Sequence, residues 1–441
     1  MKQRTQLKLF DLTIIVISLV IGMGIFKTPA SIAAKSGIET IFYSAWAIGG
    51  VVALMGAFIF AEIGTRLPVV GAYYKVFSFA YHPSVGFTIN ILILISNAAS
   101  LAVVALIGAE YCSDLLFGKQ MGQVFNVSLS LLAISIFFVV NLMGLRTSSR
   151  TLNILMVIKV ALVLILISAL FSGQLVEPHA HSNDPMRVYD GSNGLLLLVI
   201  SMVAVSFTYG GYQQTINFGG EVKDTGTMQK GILVGIVIVI ILYMSVNYSY
   251  VNVIGFEQMK NATSIGALLF EAWFGKIGAK LFDFAMFISV LAYVNILLMS
   301  NPRVMFAMSE DKVLPKLFSF QHPKTGALVP SLIAFSTITI VVVFFGKGVD
   351  NILGFSIFLD SLGFITAAAA LFILRKQKVN QDLVKGSLSK FVPFMTVLFM
   401  FAYIVVATAV VIDNWQAALT GVGLLVLFFG IFFVFRKQHS I

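Results

Sequence analysis

Apolar residues in this chain come in long runs, not in the alternation of strands or the stripes of surface helices. About twenty such residues are needed to cross a bilayer as a helix. On that ruler the apolar segments are 9–36, 40–66, 84–112, 125–145, 151–172, 194–222, 229–254, 278–308, 327–346, 351–374, 391–412 and 415–435. The period-two pattern of a transmembrane barrel is absent. The pattern therefore predicts an all-α polytopic membrane protein with twelve transmembrane helices. The stretch 262–274 is too short and too mixed to span and reads as an external interfacial or re-entrant segment before the eighth helix.

Two segments break the rules of a membrane helix. Ile21-Gly22-Met23-Gly24-Ile25-Phe26-Lys27-Thr28-Pro29 puts two glycines, a lysine and a proline inside the first one. Glycine costs about 1 kcal/mol and proline about 3 kcal/mol against alanine in a helix interior, and a lysine at mid-bilayer adds about 2.5–3.5 kcal/mol. Such backbone is tolerated only where protein buries it or water fills a cavity beside it. Tyr209-Gly210-Gly211-Tyr212 interrupts the sixth segment in the same way. Interrupted spans in corresponding halves point to a transporter's binding site. Helices 1–5 (residues 1–172) and 6–10 (194–374) become candidate repeats, and an odd number of spans in each makes the second copy inverted. Residues 391–441 add helices 11 and 12 and a short tail. The competing explanation is a pair of glycine kinks for close helix packing.

Composition agrees: 59% of the 441 residues are hydrophobic and 11% are charged, against roughly 25% charged in soluble domains. The net charge of +10 is not a nucleic-acid patch, because the basic residues sit in alternate loops. Arg66 and Lys75, Arg146 and Arg150, Lys223 and Lys230, Arg303 to Lys324, Arg375 to Lys390 and Arg436-Lys437 share one side with the N-terminus. That side holds about twenty of the 29 basic residues and is cytoplasmic by the positive-inside rule. Both termini are expected there, in a cell inner (plasma) membrane. The basic start with Lys2, Arg4 and Lys8 lacks a small-residue cleavage site, so the first segment is expected to stay in the mature protein. The one cysteine, Cys112, excludes an internal disulfide and reads as a packed thiol, or as a bond to a partner chain. His179 and His181 lack a third metal ligand at suitable spacing, so no metal is expected.

A helix broken at mid-membrane leaves free N–H groups where one half starts and free C=O groups where the other ends. The first suit a carboxylate and the second an ammonium. An α-amino acid carries both charges on one carbon. The expected backbone site is thus Ile21, Gly22, Met23, Gly24 and Ile25 with Phe207, Thr208, Tyr209, Gly210 and Gly211.

Four motifs carry a family resemblance. Gly22-Met23-Gly24-Ile25-Phe26 resembles the G-x-G-I-F motif of the amino acid–polyamine–organocation (APC) superfamily. Phe207 to Tyr212 followed by Gly220-Glu221-Val222-Lys223 is similar to helix 6 of its L-type amino acid transporter branch. Ala61 to Pro68 with Gly71 and Tyr73, and Arg303 to Met308 running to Leu314-Pro315, resemble its loop after helix 2 and its signature after helix 8. The resemblance implies the LeuT-type inverted-repeat fold, alternating access, and an amino acid bound between helices 1 and 6. Asp224-Thr225 and Asn301-Pro302 depart from the family pattern, at places expected to lie away from the pocket.

Lys159 stands about eight residues into the fifth segment, roughly 12 Å deep. It either snorkels to the interface or is a buried ammonium held by carbonyls of broken helix 1 and by helix 8. It looks like the family's helix 5 lysine, which takes the place of a sodium ion; this implies sodium-independent transport, with proton coupling through Lys159 left open. Lys27 and Asp360 are expected to flank the external vestibule and pair as an outer gate, or to be two unrelated wetted groups. Phe207 resembles an aromatic closing over substrate, with core packing as the alternative. Asn295, Ser96 and Asn97 are polar at pocket depth, although such residues often only bond a neighbouring helix.

The expected function is a secondary transporter of amino acids, working by exchange. Neutral substrates are favoured by the apolar lining and by Lys27. Proton symport and transport of polyamines or cationic amino acids are the alternatives, and a transporter-like sensor or channel is the alternative from another class. An enzyme is disfavoured, since no H-E-x-x-H or intramembrane catalytic set occurs. No Walker A motif is present. The expected partners are the substrate and the lipid bilayer, with no nucleic acid, cofactor or obligatory protein partner.

Overall fold

A computed structural model describes residues 7–22, 24–119, 121–168, 191–222, 224–262, 265–345, 349–384 and 387–438. The helices are α1 (Leu9–Val20), α2 (Gly24–Ser36), α3 (Glu39–Arg66), α4 (Ala72–Ala80), α5 (Pro83–Phe117), α6 (Gln123–Leu142), α7 (Leu145–Ser168) and α8 (Gly191–Tyr209). They continue as α9 (Thr225–Ile254), α10 (Phe256–Lys260), α11 (Ile265–Glu310), α12 (Val329–Phe345), α13 (Val349–Lys376), α14 (Val392–Asp413) and α15 (Trp415–Gln438). Among the described residues, 9 helices are long and apolar enough to cross a membrane. Shorter apolar helices at Leu9–Val20, Val329–Phe344 and Ala418–Phe433 fall on the remaining apolar segments. The protein is all-α and polytopic, as its apolar pattern requires.

Both predicted breaks exist. Helix α1 stops at Val20, and the chain turns through Ile21 and Gly22 before α2 begins. Helix α8 stops at Tyr209, and beyond Gly210 and Gly211 the chain continues as 3-10 turns at Tyr212–Asn217 and Gly219–Glu221. The second half of helix 6 is therefore tighter and shorter than the α-helix expected. Helix α2 packs on α8, and α1 packs on the turn Tyr212–Asn217. The two broken helices thus lie antiparallel with their breaks side by side. Gly211 makes this approach possible: its φ is +110°, and a Cβ there would stand 2.3 Å from the Leu19 carbonyl oxygen. On the other side of the break the hydroxyls of Thr28 and Thr208 meet at 3.0 Å.

Two further departures, at α7 and α4, have physical causes. Helix α7 begins at Leu145, not 151, because the polar stretch Arg146 to Arg150 is helical: Ser148 is buried and bonds the Asn141 side chain at 3.1 Å. Lys159 consequently lies fourteen residues from the helix start, about 21 Å along it. Helix α4 was hidden in a loop because its start is satisfied from afar. The N–H of Gly71 donates to the Asn217 carbonyl at 2.9 Å, and that of Tyr73 to the Asn217 side-chain oxygen at 3.1 Å. Within α11, Gly275 has φ +61° and ψ −154°, which separates the segment around 265–274 from the span Ile277–Glu310. At the departure Asp224-Thr225, Asp224 caps α9 by accepting from the Thr227 N–H at 2.8 Å, so the helix start is kept.

A polar layer closes the side that holds the N-terminal residues. Leu7 donates its N–H to the Glu221 carbonyl at 2.8 Å, and the Glu221 carboxylate accepts both Nε of Arg303 at 2.8 Å and Nη2 at 3.0 Å. Buried Glu62 binds Arg66 at 2.8 Å and also Arg375. Arg66 in turn donates to the Val379 carbonyl at 2.7 Å. Buried charges survive only when paired and hydrogen-bonded on every side.

Two substitutions check this framework. Glu62→Gln leaves two guanidinium groups without a charge partner; a loss of about 3 kcal/mol is expected, read as a lower unfolding midpoint in detergent, and an unchanged midpoint would refute the role assigned to Glu62. Gly211→Ala is expected to abolish uptake in proteoliposomes while helix content by circular dichroism stays near wild type. Wild-type uptake by that variant would show that the breaks need not approach.

Candidate functional site

The two breaks open on one cavity. One wall is the breaks themselves: Val20, Gly22, Gly24, Phe207, Thr208, Gly210 and Gly211. The rest of the lining comes from α5 with Asn97 and Ser100, α11 with Tyr293, α13 with Asp360 and Ser361, and α14 with Tyr403. Gln213 and Gln214, just past the second break, complete the lining.

The expected site residues divide into three sets. Gly22, Gly24, Phe207, Thr208, Gly210, Gly211, Asn97 and Asp360 line the cavity. Ile21 and Ile25 are fully buried behind the first break, and Ser96 sits behind Asp360, its hydroxyl donating to the carboxylate at 3.5 Å. Tyr209 and Asn295 point elsewhere. The Tyr209 ring packs against Trp46 and Tyr243, with centroids at 5.8 and 5.1 Å. Asn295 accepts from the Asn141 side chain and donates to the Ser148 carbonyl, both at 3.0 Å. Met23, the side chain of Lys27, and His179 and His181 lie outside the described residues, and with Lys27 the proposed pairing to Asp360.

The geometry at the breaks adds internal partners to the expected site. Several of the carbonyls near Ile21 and from Phe207 to Tyr209 already accept a bond from within the protein. Lys159, fully buried, donates to the Ile21 carbonyl, its one hydrogen bond among the described residues; none reaches helix 8. The Tyr243 hydroxyl lies 2.9 Å from the Val20 carbonyl and 3.2 Å from that of Thr208, so one phenol bridges the ends of both broken helices. The Phe207 carbonyl accepts from the Gly210 N–H at 3.1 Å. Buried carbonyls need donors, and the fold supplies them from α7 and α9. What stays unpaired by position is the other half of the expectation: the first N–H groups of α2, at Gly24, Ile25 and Phe26. That end of the break carries partial positive charge suited to a carboxylate.

Sequence reasoning missed Ser100, Gln213, Gln214, Tyr293, Ser361 and Tyr403 on the lining. Adjacent glutamines inside an apolar segment were the available signal, the same anomaly that exposed Lys159. It also set Asn301 apart from the pocket. The structure wires it in: Asn301 donates to the Leu297 carbonyl at 3.0 Å, Asn97 to Asn301 at 2.6 Å, and Gln214 to Asn97 at 3.0 Å.

Known proteins share this chain across its length. Residues 7–435 match the family described as amino acid permease. A serine/threonine exchanger, SteT, of Bacillus subtilis (strain 168) is 26% identical over 422 residues, covering 93% of this chain and 92% of that one. A methylthioribose transporter of the same organism is 26% identical over 333 residues, covering 72% and 70%. The large neutral amino acids transporter small subunit 2 of Rattus norvegicus is 23% identical over 427 residues, covering 95% and 78%. These relatives are transporters, not enzymes, and the match runs through both breaks and the cavity they enclose. The chain is a multi-pass membrane protein and belongs to the amino acid permease family.

Proposed function

We propose that this protein exchanges neutral amino acids across the cell's inner membrane by alternating access, without sodium. The observation that carries the reading is the pair of antiparallel breaks whose first carbonyl is already held by a cation, the Lys159 ammonium on Ile21. A site that brings its own positive charge to the broken helix has no need of a metal ion there. The substrate's carboxylate goes to the N–H groups that open α2, and Phe207 at the cavity wall acts as the aromatic closing over it.

Residues 1–172 and 194–374 act as inverted repeats that rock against each other, with 391–441 as an appendage and both termini in the cytoplasm. Such rocking about a fixed mid-membrane site is the general logic of repeat-built transporters. The polar layer around Glu221 and Arg303 then closes the inner side. Buried Cys112 offers no exposed thiol for a partner chain, and the protein works without an obligatory partner. The second reading, proton symport, is favoured by one feature, the Asp360 carboxylate on the cavity wall.

Purified protein in liposomes separates the two. Exchange predicts labelled amino acid uptake only when the vesicles hold unlabelled amino acid, unchanged when choline replaces sodium. Uptake into empty vesicles driven by an inward pH gradient would establish symport instead, and sodium dependence would contradict the role given to Lys159.

A further inference from the structure

The cavity lining has hydrogen-bond acceptors left over. The direction of the amide chain there is set at its far end. Asn301 must donate to the Leu297 backbone carbonyl, which only accepts, so the Asn301 side-chain oxygen receives Asn97. The Asn97 oxygen then receives Gln214. Donors therefore run one way along the chain, and it ends on the Gln214 side-chain oxygen, which is buried with no hydrogen-bond partner. Turning that amide over would break the bond to Asn97. Gln214 itself is 5% exposed and lines the cavity. On the same lining stands Asp360, an acceptor only when ionised. Its one hydrogen bond among the described residues is the long 3.5 Å contact from Ser96, and no cation among them pairs with it.

An unpartnered acceptor past the second break, on Gln214, and a carboxylate with one long hydrogen bond, on Asp360 of α13, share the cavity lining, and a ligand that brings a donor suits both, because acceptors left unmade are costly. A substrate held by its carboxylate at the start of α2 would leave its side chain in the cavity that both groups line. We infer that Asp360 and Gln214 are specificity-determining residues that select amino acids whose uncharged side chains end in a hydrogen-bond donor, a hydroxyl or an amide, over aliphatic ones of equal shape. This rests on the exchange reading and deepens it: the mostly apolar residues near the breaks hold the backbone end, and the polar lining reads the side chain.

Threonine and valine make the direct probe, since they have the same shape and differ by a hydroxyl in place of a methyl. In exchange-loaded proteoliposomes the ratio of kcat/KM for threonine over valine is expected to exceed about tenfold, the usual penalty or more for facing buried acceptors without a donor. Asp360→Ala should lower that ratio toward unity, and Gln214→Leu, which removes the other acceptor, should lower it as well. The ratio is internal to each variant, so partial loss of folded protein does not move it. Serine against alanine should repeat the result, and asparagine should compete with threonine. A wild-type ratio near unity overturns the inference, as does a ratio that both substitutions leave unchanged. Stronger competition by lysine than by threonine would mean that Asp360 reads a cation and would also overturn it. Exchange of no amino acid at all would instead sink the exchange reading; exchange without the threonine preference sinks the selectivity alone.

Discussion

A membrane helix cannot be cut in two unless something satisfies the peptide groups exposed by the cut. Here the Lys159 ammonium takes the Ile21 carbonyl and the Tyr243 phenol bridges those of Val20 and Thr208. The two donors come from α7 and α9, each packed on α1. A lysine far from the helix ends carries an insertion cost of about 2.5–3.5 kcal/mol, offset here by a charge-assisted bond to an acceptor that would otherwise be orphaned. Each group is the other's solution. Under the proposed exchange, the free N–H groups of α2 and the rest of the cavity lining are left to face the substrate.

In the proposed exchanger, such a division of labour would let one scaffold accommodate different cargo. The wall made by the breaks is mostly backbone, and backbone reads what amino acids have in common. The wall made by α5, α11, α13 and α14 is side chain, and it can change without touching the breaks. That relatives of this chain include a serine/threonine exchanger and a methylthioribose transporter is in keeping with such a split. The polar layer beneath the cavity is a different kind of structure. Its bonds run from Glu221 to Leu7 and Arg303 and from Glu62 to Arg66 and Arg375, joining elements that alternating access would have to separate.

The spans and both breaks were legible in the sequence, because long apolar runs and glycines inside them follow from local rules. Lys159 was visible as a charge where none should stand, although the polar stretch before it hid the true start of α7 and made the lysine look shallower than it is. What local rules could not reach were contacts made at long range. Asn217 caps α4 across 144 positions, and the Asn301–Asn97–Gln214 chain joins helices through bonds spanning 204 and 117 positions. The internal partners of the break carbonyls were out of reach for the same reason: Lys159 and Tyr243 lie 138 and 223 positions from their acceptors. Asn295 was named for its depth in the membrane, and depth does not tell which way a side chain faces; Tyr209 was named for its place at the break.

The dependence of the broken helix on its buried cation can be measured through Lys159→Met, which keeps much of the apolar stem and removes the ammonium. Amino acid exchange by that variant in liposomes, compared with wild type at equal reconstituted protein, is the quantity to determine, with thermal midpoints recorded in parallel. The account predicts loss of exchange by at least about a hundredfold, as one unmade charge-assisted bond of about 3 kcal/mol would give, with the variant still inserted and helical. Exchange at the wild-type rate would contradict it, because the Ile21 carbonyl would then need no cation.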